Sequence, residues 1–445
     1  MNGPGDLRAQ ALLVYVVAMP FMSALAPAAW LPWPLILVLV AAPWLALRRD
    51  GPSLARALRD DAGFIVAFVL GALALVWSPL PLGGKNLNYA AAVLASYLLF
   101  FVAVRSWLCG SGVTTNWLGV CAHRCLTLLS LAIIVEFFLA SFAGVFYADL
   151  IPFAHSDLNV ADLVTEDFKR PRAFAPEPGF TALAFDCLWP LTLLARRSRW
   201  RHALYGIAFL LLASAASMVA FAVAAAAIWM FRSRNLRALL AVVAIAALLS
   251  AAALLTDVGS EIAWTVLGRK FDVGAAVAAE PTGDAVTVID RVSTYLIGWQ
   301  LLVESPLGIG WGSLAEAYAT GTWLTDIGLL RGSGMLSLYL DVAVAAGFGG
   351  VLAFGAFVGL RVSRMLRSDA PGAIPVTFSV LAVLLHHALV TEFQFPFLWF
   401  ALAVADRFVF QQGRASSKHG AGVEYSTAHS GAPASAVAPT DASPT

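Results

Sequence analysis

The sequence predicts an all-α polytopic membrane protein of about 12 transmembrane segments, with two large loops on one face of the bilayer. Three observations carry that prediction. Of 445 residues, 60% are hydrophobic and only 12% are charged, where soluble domains carry about 25% charged residues. The apolar residues fall in runs long enough to cross a hydrocarbon core, which takes about 20 residues in a helix. Arginines cluster between these runs in a pattern that alternates sides. The formal net charge of +1 offers no electrostatic footprint for a nucleic-acid partner.

In chain order, the expected spans are 11–28, 30–47, 62–78, 88–107, 117–140, 179–195, 237–255, 334–360, 373–391 and 395–411. Only Asp6 and Arg8 carry charge before the first run, so that run reads as a retained helix and not a cleavable signal. The run from Ala203 to Met230 would be about 42 Å long as one helix, well beyond a core of about 30 Å. Basic clusters flank it. They are Arg196, Arg197, Arg199 and Arg201 before it and Arg232, Arg234 and Arg237 after it, with further clusters at Arg48/Arg49/Arg56/Arg59 and Arg361/Arg364/Arg367. The positive-inside bias puts all four clusters in the cytoplasm. One span cannot have both ends inside, so Ala203–Met230 is expected to be two short helices turning near Ser214-Ala215-Ala216-Ser217.

Residues 1–412 are thus expected to form a single membrane domain with both termini cytoplasmic. Residues 413–445, rich in Ala, Ser, Pro, Thr and Gly, are expected to be a disordered cytoplasmic tail. Cys109, Cys121, Cys125 and Cys187 lie in or beside apolar helices and read as structural. The i, i+4 spacing of Cys121 and Cys125 is poor geometry for a disulfide.

The two large loops, about 141–178 and 256–333, fall outside the cytoplasm in this topology. Loops longer than about 15 residues are usually functional or disordered. Their aromatic and aliphatic content argues for order, and 286–304 reads as a helix at the interface. The cations left outside are Lys85, Lys169, Arg170, Arg172, Arg269, Lys270, Arg291 and Arg331.

The first loop ends Lys169-Arg170-Pro171-Arg172-Ala173-Phe174-Ala175-Pro176-Glu177-Pro178-Gly179. Its prolines hold the backbone extended. The reading is either a solvated loop that pairs its cations with Asp162, Glu166 and Asp167, or an anion site in which arginine forks meet phosphate oxygens. In the second case Glu177 stands where it could take a hydroxyl proton. Arg291, next to Asp290, is either a helix-start ion pair or a second arm on the same anion. Gly308, Gly310 and Gly312 permit a tight turn and close approach of the backbone to a ligand. No Gly-Lys-Ser/Thr follows, so the segment is not a P-loop. Ionisable groups inside spans are functional candidates. His386, His387 and Asp341 qualify, the histidines as an interior hydrogen-bonding pair or a proton acceptor. Asp186 reads as a buried polar contact. No His or Cys cluster has metal-ligand spacing, and neither a metal nor a cofactor is expected.

Taken in order, these features resemble the bacterial O-antigen ligase and Wzy-type polysaccharide polymerase superfamily over roughly residues 60–410. The elements that carry the resemblance are Arg172-x-x-x-x-Glu177-Pro178, then Leu211-x-x-Ser214-x-x-Ser217 running into a short apolar helix, then Arg291. Pro306-Leu307-Gly308-x-Gly310-x-Gly312 and Gly347-Phe348-Gly349-Gly350 complete the order. The resemblance implies an inverting, metal-independent glycosyl transfer at the periplasmic face of the bacterial inner membrane. The donor would be a glycan on undecaprenyl pyrophosphate, with a flippase and a chain-length regulator as partners. It puts Arg172 and Arg291 on the donor pyrophosphate, with Arg170 the near alternative to Arg172. Lys169, Arg170, Gly308, Gly310, Arg331, Asp341 and His387 are the further substrate-binding candidates. One departure is plain. The family's ligases carry a His-Asn pair where this chain has Ser333-Gly334. That argues for a polymerase over a ligase and favours Glu177 as the base. A ligase and a lipid-linked-glycan flippase or transporter are the alternatives.

Overall fold

The computed structural model describes residues 7–22, 24–28, 31–46, 58–80, 82–110, 113–152, 170–175, 177–195, 199–233, 295, 297–320, 337–368, 370–388 and 395–409. Among them, regular structure is helical throughout, apart from one isolated bridge between Ala28 and Leu31. In chain order the helices are α1 (Leu7–Ala18), α2 (Trp33–Ala46), α3 (Ala62–Ala74), α4 (Gly84–Cys109), α5 (Thr115–Ala143) and α6 (Pro178–Thr192). They continue with α7 (Trp200–Leu211), α8 (Ala215–Ser233), α9 (Ser313–Thr320), α10 (Leu338–Leu366), α11 (Ala373–His386) and α12, residues 396–409. Four of them, α4, α5, α8 and α10, are long and apolar enough to cross a membrane. Large apolar side chains such as Val69, Phe142 and Leu352 stand on the outside of the bundle, which suits a lipid surround. This is a helical membrane protein. The expected span 237–255, the tail 413–445 and most of the loop 256–333 lie outside the described residues.

Local chemistry explains where helices stop. The first was expected to run from 11 to 28, but it ends at Ala18. Pro20 lacks a backbone donor and disfavours helix in the residue before it. The run from Ala203 to Met230 is two helices, as expected. They part at Leu212–Ser214, where Ala213 takes a left-handed φ of 47°. The rings of Phe209 and Phe221 lie 5.8 Å apart across this break.

α10 is one long helix interrupted at Gly347, with φ 66° and ψ −167°. The interruption frees carbonyls one turn earlier, and the glycine turn fills them. The amides of Ile309 and Gly310 donate to the carbonyls of Val344 and Ala345, each at 2.9 Å, and the Phe348 amide donates to the Pro306 carbonyl at 3.1 Å. Gly308, Gly310 and Gly312 have φ of 86°, 96° and 73°, a region that glycine enters without strain.

α6 is buried on nearly every face and packs against α5, α8 and α11. None of the four cysteines is in a disulfide.

Contacts sort the helix ends into two groups. At one end, Arg105 and Arg361 share the carboxylates of Asp61 and Asp406. Arg105 grips Asp61 at 2.8 and 2.9 Å and reaches Asp406 at 3.1 Å, and Arg361 meets them at 2.5 and 3.0 Å. Tyr97 donates to Asp61 at 2.8 Å, and the Phe101 and Phe357 rings lie against the guanidinium groups. Arg364 pairs with Asp60 at 2.9 Å, and Arg232 donates to the Ser368 carbonyl at 3.4 Å. Arg232, Arg361 and Arg364, from two of the basic clusters, thus lie at this end. The other end holds the loop Arg170–Ala175, the α7–α8 break, the close of α11 and the glycine turn.

Candidate functional site

The loop leading into α6 is held by one buried carboxylate. Glu136, near the end of α5, is fully buried. Its Oε2 accepts the backbone amides of Arg172 at 2.9 Å and Ala173 at 2.6 Å, and its Oε1 accepts that of Tyr147 at 3.2 Å. Three convergent donors hold its two oxygens in place. The chain turns at Ala173, which has φ 51°, and the Thr181 hydroxyl of α6 donates to the Arg172 carbonyl. Phe174 stacks between Phe21, with centroids 4.1 Å apart, and Tyr147, at 5.7 Å. The Tyr147 hydroxyl closes the unit on the Ala132 carbonyl at 2.9 Å.

This clamp sets two arginines in different surroundings. Arg170 is partly exposed. Its guanidinium donates to the carbonyls of Leu212 and Ala213, at 3.2 to 3.4 Å, where α7 ends. Arg172 is buried, with 2% of its surface exposed. Burial pushes its guanidinium below the usual arginine range, while the nearby carboxylates of Glu136 and Asp149 oppose that shift. Glu177 is exposed at the N-cap of α6, and its side chain does not cap the helix. Pro178 follows at the first helical position, where a missing amide costs nothing. Arg170, Arg172 and Glu177 are therefore fixed within one short segment. Lys169, Arg291 and Arg331 lie outside the described residues.

The other expected site residues are placed elsewhere at the same end. The close approach that Gly308 and Gly310 allow is to the protein's own chain, backbone at Gly308 and the Leu75 side chain at Gly310. A Cβ on Gly308 would crowd the Ala345 carbonyl and the Gly347 amide, and one on Gly310 would run into Leu75. The turn is pinned further by Trp77, whose Nε1 donates to the Gly308 carbonyl at 3.2 Å, and by the Trp311 amide on the Gly71 carbonyl at 3.2 Å. Asn86 of α4 donates to the Trp311 carbonyl and to Ser313 Oγ, each at 3.1 Å. Asp341 lines a narrow crevice with Tyr89, Gly310, Gly312 and Ser313, and the Tyr89 hydroxyl donates to its Oδ2. His387 is buried, its Nδ1 at 2.8 Å from the Val383 carbonyl, and its own carbonyl accepts the Leu338 amide at 3.0 Å. That bond joins the close of α11 to the start of α10, three residues before Asp341.

Sequence reasoning missed Glu136, although an acid inside an apolar run is itself a signal. It placed Arg361 in a cytoplasmic cluster and missed its role in the buried Asp61–Arg105–Arg361–Asp406 network. Asp186 is the buried polar contact expected from the sequence, and it bonds both His386 and Ser217. Compared with known proteins, the chain matches no protein-family model and no curated protein.

Proposed function

We propose that this chain is a membrane-embedded polymerase that joins glycan repeats carried on undecaprenyl pyrophosphate, working at the periplasmic face without a metal. The observation that carries the reading is the clamped cationic segment. Glu136 holds the amides of Arg172 and Ala173, Arg170 rests its guanidinium on the Leu212 and Ala213 carbonyls, and Glu177 and the first turn of α6 follow shortly after. Preorganised cations stabilise charge that builds on a leaving pyrophosphate, because no reorganisation is needed as the bond breaks. The order of sequence elements described above supports the same reading.

In this mechanism Arg170, the more exposed of the pair, meets the pyrophosphate, and Arg172 adds positive potential from behind it. Arg291 is the arm from the second loop. Glu177 orients the incoming sugar hydroxyl and takes its proton. The new glycosidic bond forms as the sugar–phosphate bond breaks, and the electron pair leaves with the lipid pyrophosphate.

The test is the lipid-linked intermediate in a deletion strain. A polymerase loss accumulates single repeats on the outer leaflet, and Arg291→Ala or Arg170→Ala on a plasmid fails to restore long polymer. Repeats left facing the cytoplasm would instead identify a flippase, and finished polymer stranded on its carrier would identify a ligase. Normal chain length in the Arg291→Ala strain removes the role given to that residue.

A further inference from the structure

The interior of the bundle holds a second polar constellation, separate from the clamped loop. Asp186 of α6, Ser217 of α8 and His386 of α11 meet where those three helices pack on one another. All three side chains are fully buried. His386 Nδ1 lies 2.6 Å from Asp186 Oδ2, and the Ser217 hydroxyl donates to the same oxygen at 2.6 Å. Among the described residues, neither Asp186 Oδ1 nor His386 Nε2, both buried, has a hydrogen-bond partner. A purely structural polar cluster in a membrane protein is expected to satisfy its atoms, since orphaned polar groups away from water are costly. Here each member of the pair keeps one polar atom in reserve.

The arrangement is not a nucleophilic triad. In such a triad the imidazole stands between the hydroxyl and the carboxylate. Here the carboxylate stands in the middle, so Ser217 is not activated by His386. Asp186 instead orients the imidazole and leaves Nε2 as the open position. Among the described residues, the other titratable or polar groups here include Tyr15 of α1 and Cys125 of α5, both within electrostatic reach of Cys187. From α6 comes Cys187, whose thiol turns to the Phe397 carbonyl of α12 at 3.7 Å, with the Ser379 hydroxyl of α11 donating to the Cys187 carbonyl at 2.6 Å. From α11 comes His387, held on the Val383 carbonyl. Ser217 is the contribution of α8.

We infer that Asp186, His386 and Ser217 form an intramembrane proton-binding site, and that its occupancy is felt at the α7–α8 break on which Arg170 rests. With the proton bound, imidazolium and carboxylate form a neutral pair. Without it, a single buried negative charge remains, shared with the Ser217 hydroxyl. Ser217 lies in the first turn of α8, four residues after Ala213, whose carbonyl accepts Arg170. A change in the bond between Asp186 and Ser217 therefore acts on the segment that seats the arginine. The inference concerns proton binding alone and does not rest on the glycosyl-transfer reading.

The experiment is a pH titration of the full chain in lipid nanodiscs, with histidine side chains isotope-labelled and read by NMR. His386→Gln identifies the His386 signal. The expected result is a His386 resonance that moves with pH while the protein stays folded. Asp186→Asn should move the midpoint of that response, because it removes the carboxylate 2.6 Å from the imidazole. Amide exchange at Ala213–Met218 should change through the same midpoint in the wild type. In Ser217→Ala that exchange should no longer follow the midpoint, which keeps the coupling testable where Asp186→Asn does not fold. A His386 signal that is flat over the whole folded range overturns the proton site. So does an Asp186→Asn midpoint equal to that of the wild type. Exchange at the break that ignores pH in the wild type overturns the coupling.

Discussion

Replacing Glu136 tests whether one carboxylate holds the cationic loop. Its oxygens accept three backbone amides, at 2.6, 2.9 and 3.2 Å, and the side chain is fully buried. A hydrogen bond to a charged group contributes about 1.5–3 kcal/mol. Glu136→Gln keeps the shape and can keep its oxygen on the Arg172 and Ala173 amides, but it turns an NH2 group toward the Tyr147 amide. One bond is lost and one donor faces another, at a cost of about 1–3 kcal/mol. Local opening of the loop should then rise by about 5- to 150-fold. Glu136→Ala frees all three donors and costs about 3–5 kcal/mol, less than the sum of three bonds because water can enter the space left. It also removes one of the carboxylates whose charge favours the buried Arg172 guanidinium. The assay is amide hydrogen exchange in nanodiscs at Tyr147, Arg172 and Ala173, read against thermal stability. Faster exchange at Tyr147 than at Ala173 in Glu136→Gln is the specific signature. Unchanged exchange at Arg172 and Ala173 in Glu136→Ala would refute the clamp.

Three further outcomes follow from the same contacts. Gly347→Ala should lower stability by about 2–4 kcal/mol, since the backbone there is nearly glycine-only and the new Cβ would strike the Pro306 carbonyl; a thermal melt in detergent equal to the wild type contradicts this. Asp61→Asn leaves Arg105 and Arg361 sharing Asp406 and should cost about 3–5 kcal/mol by thermal or denaturant unfolding. No loss there would mean that the two arginines find other acceptors. Arg170→Ala removes the guanidinium contacts to Leu212 and Ala213 and should cost only about 1 kcal/mol of stability while abolishing long product. A variant that is unstable and still active reverses the assignment of Arg170 from ligand to brace.

The helical membrane class was legible because composition and run length report directly on the solvent a segment prefers. The break in Ala203–Met230 was legible for a related reason. A single helix of that length exceeds the bilayer, and flanking arginines demand both ends on one side. The special conformations at Gly308, Gly310 and Gly347 were legible as glycines, but their purpose was not. The sequence suggested an approach to a ligand, whereas the turn approaches the interruption in α10, some 35 residues away along the chain. The polar contacts inside the bundle were the least legible. Asp186 and His386 are 200 positions apart, and Arg361 and Asp61 are 300 apart. Helical periodicity reports which face of a segment is apolar, not which distant helix that face will meet. Glu136 shows the same limit. Its position inside an apolar run could be read, but its three amide partners depend on how the loop folds back over α5.

The most direct test of the proposed function uses purified protein in liposomes supplied with lipid-linked single repeats and a chelator. The expected product is a ladder of lipid-linked polymer, with one undecaprenyl pyrophosphate released for each repeat joined. That ladder should be lost in Arg170→Ala and Glu177→Gln. Repeats that cross the bilayer unjoined, or a ladder that persists undiminished in both variants, would contradict it.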